Sequence, residues 1–242
     1  MGYNLTIDQG NSAAKVVVWC DNNLVAVSHY STFSDSEIRE LANQFPIENA
    51  IYCSVGNAET QVVESLRNFA KGIVLELSHT TPMPLILDYA TPQTLGRDRI
   101  AAAMGAYDKF RGNTILVVDI GTAVTYDVVT ADGHFAGGNI APGVKMRLDA
   151  MHHFTARLPQ VEIDGKSALW GIDTVSAMRA GALNGVVAEI EYYHARMPQN
   201  TVVALTGGSA SHVAQLLNLK VEVIPHLVNE GLNCILRYNE TK

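Results

Sequence analysis

The chain has 242 residues, 48% of them hydrophobic and 17% charged, which suits a well-packed globular protein of one or two domains. Its formal net charge of −7 comes from 17 basic and 24 acidic residues, and no basic run disfavours nucleic acid as the main partner. The absence of an apolar run near ~18 residues argues against a membrane span.

In chain order, the pattern predicts strands over 4–7, 15–19 and 24–29, joined by hairpins, and a helix over about 35–43. A strand at 50–54, a break at Gly56-Asn57 and a helix carrying Val62, Val63 and Leu66 follow. After a strand over 73–77, the Ala-rich segment 97–110 reads as a strong helix with Ala102, Ala103, Ala106 and Tyr107 on its core side. The second half repeats the plan, with strands over 115–118, 124–129 and 134–136, then the glycine-rich GGNIAPG (137–143) as a turn and a helix over about 144–156. A long helix over 175–193 carries Ala180, Gly181, Gly185 and Ala188, a pattern suited to close helix packing. Beyond it come a strand over 202–205, the turn TGGSA (206–210), a helix over 211–216, a strand over 221–224 and a helix over 227–238. The halves divide near Arg111-Gly112-Asn113, giving 1–112 and 113–242, with no Pro/Ser-rich linker between them.

Three widely spaced cysteines, Cys20, Cys53 and Cys234, fit neither a disulfide framework nor zinc spacing and predict reduced thiols. With no signal-peptide pattern in MGYNLTIDQG, a cytoplasmic protein is expected.

One phrase occurs twice. LTIDQGNSAAK contains Asp8, Gly10, Asn11 and Ser12; LVVDIGTAVTYD contains Asp119, Gly121 and Thr122. Turn signals, Asp21-Asn22-Asn23 and Asp132-Gly133, follow at equal distance from each Asp. A repeat at about half the chain length points to a duplicated unit. Each phrase ends an apolar strand with a carboxylate, a glycine that lets backbone N–H groups approach an anion, and a hydroxyl donor. An Asp beside polyphosphate is repulsive unless it holds a cation or a water of a hydrated cation. The structural alternative for each copy is a hairpin with a glycine bulge.

YATPQTLGRDR (89–99) is the most pointed segment. Pro92 and Gly96 order a loop, and Arg97, Asp98 and Arg99 open a helix whose free N–H groups favour anions. Asp98 can accept a proton from a substrate hydroxyl, and Arg99 can grip a carboxylate in a bidentate pair. Asp98 is equally a good helix-start residue in its own right. GGNIAPG reads either as a backbone approach to ligand or as a strand-to-helix turn, and TGGSA either as a nucleotide-facing turn or as a plain connection. Lys15 is placed to reach a phosphate or to remain a solvated strand residue. His152-His153 has no metal-ligand spacing around it. No G-x-G-x-x-G follows the first strand, and GNIAPGVK departs from a P-loop at Val144.

Two rounds of three antiparallel strands followed by helix, strand, helix and strand have the layout of the duplicated actin/hexokinase/Hsp70-like (ASKHA) nucleotide-binding fold, an α/β fold with two similar halves and a cleft between. The alternation also allows a doubly wound sheet. DQGNSAAK, Y-x-x-P-x-x-L-G-R-D-R, DIGTAVTYD, GGNIAPG, TARLP, GIDT and TGGSA, in this order, resemble the type III pantothenate kinase family over nearly the whole chain. The resemblance implies ATP-dependent phosphorylation of pantothenate to 4'-phosphopantothenate, the first step of coenzyme A biosynthesis. It implies ATP-phosphate contacts from Asp8, Gln9, Gly10, Asn11, Ser12, Ala13, Ala14, Lys15 and Thr122. It implies a pantothenate pocket lined by Tyr89, Gly96, Arg97, Asp98, Arg99 and Thr174, with Asp98 as the proton acceptor. It further implies Mg²⁺ with ATP, a monovalent cation (K⁺ or NH₄⁺) on Asp119, and a homodimer in which the Thr174 region helps complete the partner's pocket. Ser12 stands where the family usually has Thr, which keeps the hydroxyl. The competing readings are an actin-like ATP-binding scaffold or regulator with no acceptor, and a kinase of another small hydroxy or carboxylate acceptor. The paired Asp98 and Arg99 speak against a scaffold.

Overall fold

A computed structural model describes residues 2–10, 13–54, 60–163 and 168–240. In chain order the elements are β1 (Tyr3–Gln9), β2 (Ala14–Cys20), β3 (Asn23–Tyr30), α1 (Asp35–Gln44), β4 (Ile47–Ser54), α2 (Thr60–Phe69), β5 (Val74–Glu76), β6 (Ile86–Leu87) and α3 (Arg97–Lys109). They continue with β7 (Ile115–Ile120), β8 (Ala123–Val129), β9 (His134–Pro142), α4 (Val144–Phe154), α5 (Thr174–His194), β10 (Val202–Thr206), α6 (Ala210–Ala214), β11 (Glu222–Val223) and α7 (Leu227–Glu240). The chain forms two compact units. One comprises Met1–Arg111, Gly133–Phe135 and His226–Lys242; the other comprises Gly112–Asp132 and Ala136–Pro225. α7, late in the chain, lies with the first unit, as does the segment Gly133–Phe135.

The first unit is built on a sheet ordered β3-β2-β1-β4-β5. β1 runs antiparallel to β2 and parallel to β4, and β2 runs antiparallel to β3. In the second unit the order β9-β8-β7-β10-β11 repeats this plan, with β7 antiparallel to β8 and parallel to β10. The repeated phrase thus marks a repeated topology, and Asp8 and Asp119 occupy the same place, near the end of each central strand.

Alternation decides what each sheet buries. Leu5, Ile7, Val16 and Val18 turn one face towards Ile38 and Leu41 of α1 and Val62, Val63 and Leu66 of α2. Thr6 and Trp19 face the other way, where the Trp19 indole N–H donates to Thr6 Oγ1 at 2.9 Å. The Asn229 side-chain amide of α7 donates to Thr6 Oγ1 at 3.2 Å and to the Lys15 carbonyl at 3.3 Å. α1 begins at an N-cap, Ser34, whose backbone N–H donates to Glu37 Oε2 at 2.8 Å, closing a capping box.

α3 and α7 cross with almost no space between their backbones. A Cβ on Gly231 would stand 1.8 Å from the Ala101 carbonyl oxygen, and one on Gly105 would stand 2.6 Å from the Leu227 carbonyl oxygen. The close helix packing expected at Ala180, Gly181, Gly185 and Ala188 is therefore found elsewhere. Gly181 has nothing near its Cβ direction, and Gly185 makes room for Arg147 Nη1, 2.6 Å from a Cβ there. That arginine grips Glu189 with Nη2 at 2.8 and 2.7 Å, and Glu189 Oε2 accepts from the buried Tyr126 hydroxyl at 2.5 Å. Burial and the neighbouring Glu189 push the Tyr126 phenol well up.

GGNIAPG differs from expectation. β9 continues through it to Pro142, and Gly137 adopts φ +123°, a backbone closed to other residues. Glycine carries no strand propensity, so local sequence could not show the extension. β6, not expected from the sequence, pairs Ile86 with His134 and Leu87 with Phe135. Among the described residues no helix is long and apolar enough to cross a membrane.

Candidate active site

In the first unit the β1–β2 turn carries the first copy of the repeated phrase. The Gly10 N–H donates to the Ala13 carbonyl at 3.0 Å, and the Gln9 side-chain amide donates to the Gly10 carbonyl at 3.2 Å. Asp8 faces Lys15 across the β1–β2 ladder, and Gln9 faces Ala14. Asn11 and Ser12 lie outside the described residues. Ala13 is exposed, Ala14 buried and Lys15 half-buried.

The segment leading to α3 supplies the second part. A short 3₁₀ turn spans Pro92–Thr94, and Gly96 is the N-cap of α3. Asp98 sits in the first turn, where the helix dipole favours a carboxylate. Its Oδ1 accepts from the Arg99 backbone N–H at 2.9 Å. A Cβ at residue 96 would stand 2.5 Å from that same oxygen, so glycine is what leaves the Asp98 carboxylate its place. Arg99 is only 5% exposed. Its guanidinium carbon lies 5.9 Å from the Tyr89 ring centre and 5.7 Å from that of Phe135. Arg97 turns elsewhere, donating from Nη1 to Glu76 Oε1 of β5 at 2.9 Å.

Cys53 lies near the end of β4. It is fully buried and is the register partner of Asp8 on β4. Burial drives its thiol pKa well up; the carboxylates of Asp8 and Asp98 push it the same way, and Arg97 opposes them.

In the second unit Asp119 pairs with Thr125 on β8 and with Thr206 on β10. The Gly121 N–H donates to the Ala123 carbonyl at 3.0 Å, and the Gly143 N–H donates to the Thr122 carbonyl at 3.0 Å. Gly207, at φ +93°, crosses directly over the Asp: a Cβ there would stand 2.4 Å from Asp119 Oδ1. A Cβ on Gly143 would meet the Gly121 and Thr122 carbonyl oxygens at 2.3 and 2.4 Å. The DIGT turn, the end of GGNIAPG and TGGSA thus converge around Asp119; at Gly143 and Gly207 no side chain fits between the backbones, whereas a Cβ at Gly121 would make only ordinary contacts, 3.7 Å from the Ala123 carbonyl oxygen and from Asp119 Oδ1.

Thr174 is the first residue of α5 and is exposed; Asp173 caps that helix, accepting from the Ser176 N–H at 2.8 Å. Tyr89 is half-buried and Thr122 exposed. His152 Nδ1 lies 2.7 Å from the Leu158 carbonyl oxygen. No group of three or more His, Cys, Asp or Glu side chains suited to a metal occurs among the described residues. Sequence reasoning passed over Phe135, Glu76 and the crossing glycines 105 and 231, while Thr206 was reached only as the first residue of the TGGSA turn.

A profile of the type III pantothenate kinase family matches residues 4–196. A Porphyromonas gingivalis protein named type III pantothenate kinase is 38% identical over 246 aligned positions, covering 99% of this chain and 100% of the relative. Among solved structures, a conserved putative Baf family transcriptional activator from Campylobacter jejuni superposes with a TM-score of 0.62 at 22% identity, covering 98% of this chain and 100% of that one. A putative 2-dehydro-3-deoxygalactonokinase from Sinorhizobium meliloti gives 0.61 at 13% identity, covering 98% and 99%. At these identities the two structures bear on the fold alone, which is the duplicated actin/hexokinase/Hsp70-like fold read from the repeat. With a family profile over most of its length and a full-length relative at 38% identity, the chain belongs to the type III pantothenate kinase family, the phosphotransferases of the first step of coenzyme A biosynthesis.

Proposed function

We propose that this chain transfers the terminal phosphoryl group of ATP to the primary hydroxyl of pantothenate. The observation that carries the residue assignment is the pair at the start of α3: an Asp98 carboxylate given room by Gly96, next to a buried Arg99. Pantothenate has one primary alcohol and one carboxylate, and the pair offers one acceptor for a proton and one fork for an anion. In this reading Tyr89 and Gly96 complete the acceptor pocket, Thr174 of one copy helps complete the pocket of its partner, and Arg97 would join only by leaving the Glu76 carboxylate that it meets at 2.9 Å.

Phosphoryl transfer passes through a loose transition state, so catalysis is mainly positioning and charge neutralisation. Asp98 takes the hydroxyl proton as the acceptor oxygen bonds to phosphorus, and the leaving oxygen departs on ADP. The turns around Asp8, Gln9, Gly10, Asn11, Ser12, Ala13, Ala14 and Lys15, and around Thr122, bind the phosphates of Mg²⁺-bound ATP through N–H groups and hydroxyls. A monovalent cation fits Asp119. The Asp119 carboxylate at the strand end, with Thr206 beside it in register and Gly207 leaving room, is a set of hard oxygen donors. Such an ion supplies positive charge next to the phosphates.

The assembly in this reading is a cytoplasmic homodimer. Its support is the apolar surface beside Thr174, where Leu169, Trp170 and Ile172 are 72%, 79% and 97% exposed.

ADP release tests the activity. Turnover is expected only when pantothenate is added to ATP and Mg²⁺; ATP hydrolysis indifferent to pantothenate would instead support a scaffold or regulator. The cation has its own test. The enzyme is expected to run faster in KCl than in NaCl at equal ionic strength, which separates a specific site from screening. Asp119→Asn is expected to be slow and to lose that difference. Equal rates of the unmodified enzyme in the two salts would remove the cation from the reaction.

A further inference from the structure

We infer that Phe135 is a positioning residue for acceptor recognition: its buried ring holds the Arg99 guanidinium where a substrate carboxylate meets it. This rests on the reading of Arg99 as the carboxylate fork. Phe135 belongs to the strand that follows the Asp132-Gly133 turn, far in sequence from the 89–99 segment, yet it clusters with the first unit. Its side chain is fully buried. Leu87 is its register partner, and the Asp88 N–H donates to its carbonyl at 3.1 Å. One residue further along, the Tyr89 ring meets the Phe135 ring edge-on, with centres 6.0 Å apart and planes at 72°. The neighbouring pair is fastened too, with His134 Nδ1 2.7 Å from Asp88 Oδ2.

The result is a two-ring holder for one cation. The Arg99 guanidinium carbon lies within cation–π range of both rings, at 5.9 and 5.7 Å. Burying a guanidinium is unfavourable unless its charge meets compensating partners, and ring faces provide part of that compensation without using N–H donors. An arginine also has a long side chain with much rotamer freedom. Fixing it before substrate arrives removes an ordering cost from binding, which strengthens affinity without touching the chemical step. Tyr89 is half-buried and is itself read as a pocket residue, whereas Phe135 is fully covered and acts only through Arg99 and Tyr89.

The test is steady-state kinetics of the full chain carrying Phe135→Leu, Phe135→Tyr, Arg99→Lys and the Phe135→Leu/Arg99→Lys pair, with thermal melts to confirm folding. Phe135→Leu is expected to raise the pantothenate KM about 10-fold, with kcat within about 2-fold and the ATP KM unchanged. Phe135→Tyr keeps a ring and is expected to restore the KM. In the Arg99→Lys background the Leu substitution is expected to add little further, because the two residues act as one unit. A raised KM in Arg99→Lys with an unchanged KM in Phe135→Leu overturns this inference alone. So does a full additional 10-fold in the double variant, or equal losses for ATP and pantothenate. An unchanged pantothenate KM in Arg99→Lys refutes the assignment of Arg99, and the role of Phe135 falls with it. Should Phe135→Leu not fold, Phe135→Met takes its place with the same expectations.

Discussion

Asp98→Asn is expected to lower kcat by about 10²-fold or more while leaving the pantothenate KM nearly unchanged, in the range for loss of a positioned general base. The structure makes this substitution clean. Asp98 Oδ1 accepts from the Arg99 backbone N–H at 2.9 Å, and an Asn side-chain oxygen takes over that bond without moving the helix. The space above the carboxylate, left open by Gly96, accommodates an amide as well as a carboxylate. What disappears is the ability to accept the hydroxyl proton. Steady-state rates with saturating pantothenate and ATP give the answer. A kcat within about 3-fold of the unmodified enzyme would remove Asp98 from the chemistry and leave it as a helix-start residue.

The largest expected effect on stability is at Gly231. Its absent Cβ would lie 1.8 Å from the Ala101 carbonyl oxygen and 2.8 Å from the Gly105 backbone nitrogen, so Gly231→Ala meets backbone rather than a flexible side chain. The two helices have to separate, and overpacking of that kind costs about 3 kcal/mol or more, against a total stability of roughly 5–15 kcal/mol. Because Ala101 lies on α3 just beyond Asp98 and Arg99, the surviving folded fraction is also expected to show a raised pantothenate KM. Urea unfolding monitored by far-UV circular dichroism measures the first effect. A midpoint unchanged from the parent would mean that the helices tolerate separation and that the close crossing is incidental.

Much of the frame was legible because its signals are local. The repeated Asp-x-Gly phrase, the alternating hairpins and the Ala-rich α3 each follow from residues a few positions apart, and each matches an element of the structure. Ala102, Ala103 and Ala106 are buried as expected and Tyr107 is half-buried, but burial runs through every residue from Arg99 to Ala106 rather than along one stripe, because α7 packs closely on α3. What escaped is long-range or chemically silent. β6 has two residues, too few for any period to register. The continuation of β9 through GGNIAPG uses glycines, whose conformation is set by neighbours rather than by their own side chains. The small residues of α5 gave the right kind of signal at the wrong crossing, since a glycine records that something comes close and not what. Arg97 sits within the motif read as the pocket, and its bond to Glu76 depends on β5 being alongside α3. Phe135 joins Arg99 only through the pairing of β6 with β9.

The return of α7 to the first unit has a consequence for the order of folding. The face of β1 and β2 that carries Thr6 and Trp19 is completed by Asn229, 223 positions beyond Thr6. A nascent chain emerges at ~5–20 residues per second, so on the ribosome that face stays uncovered for on the order of ten seconds or more after β1 has been made. The second unit draws on residues up to Pro225 and none from α7. Synthesis therefore favours a sequence in which the Asp119 unit consolidates first and the unit bearing Asp8, Asp98 and Arg99 closes last. The loop-closure entropy of that final, very long-range contact falls on the transition state for the first unit, so its folding rate is expected to be the slower of the two.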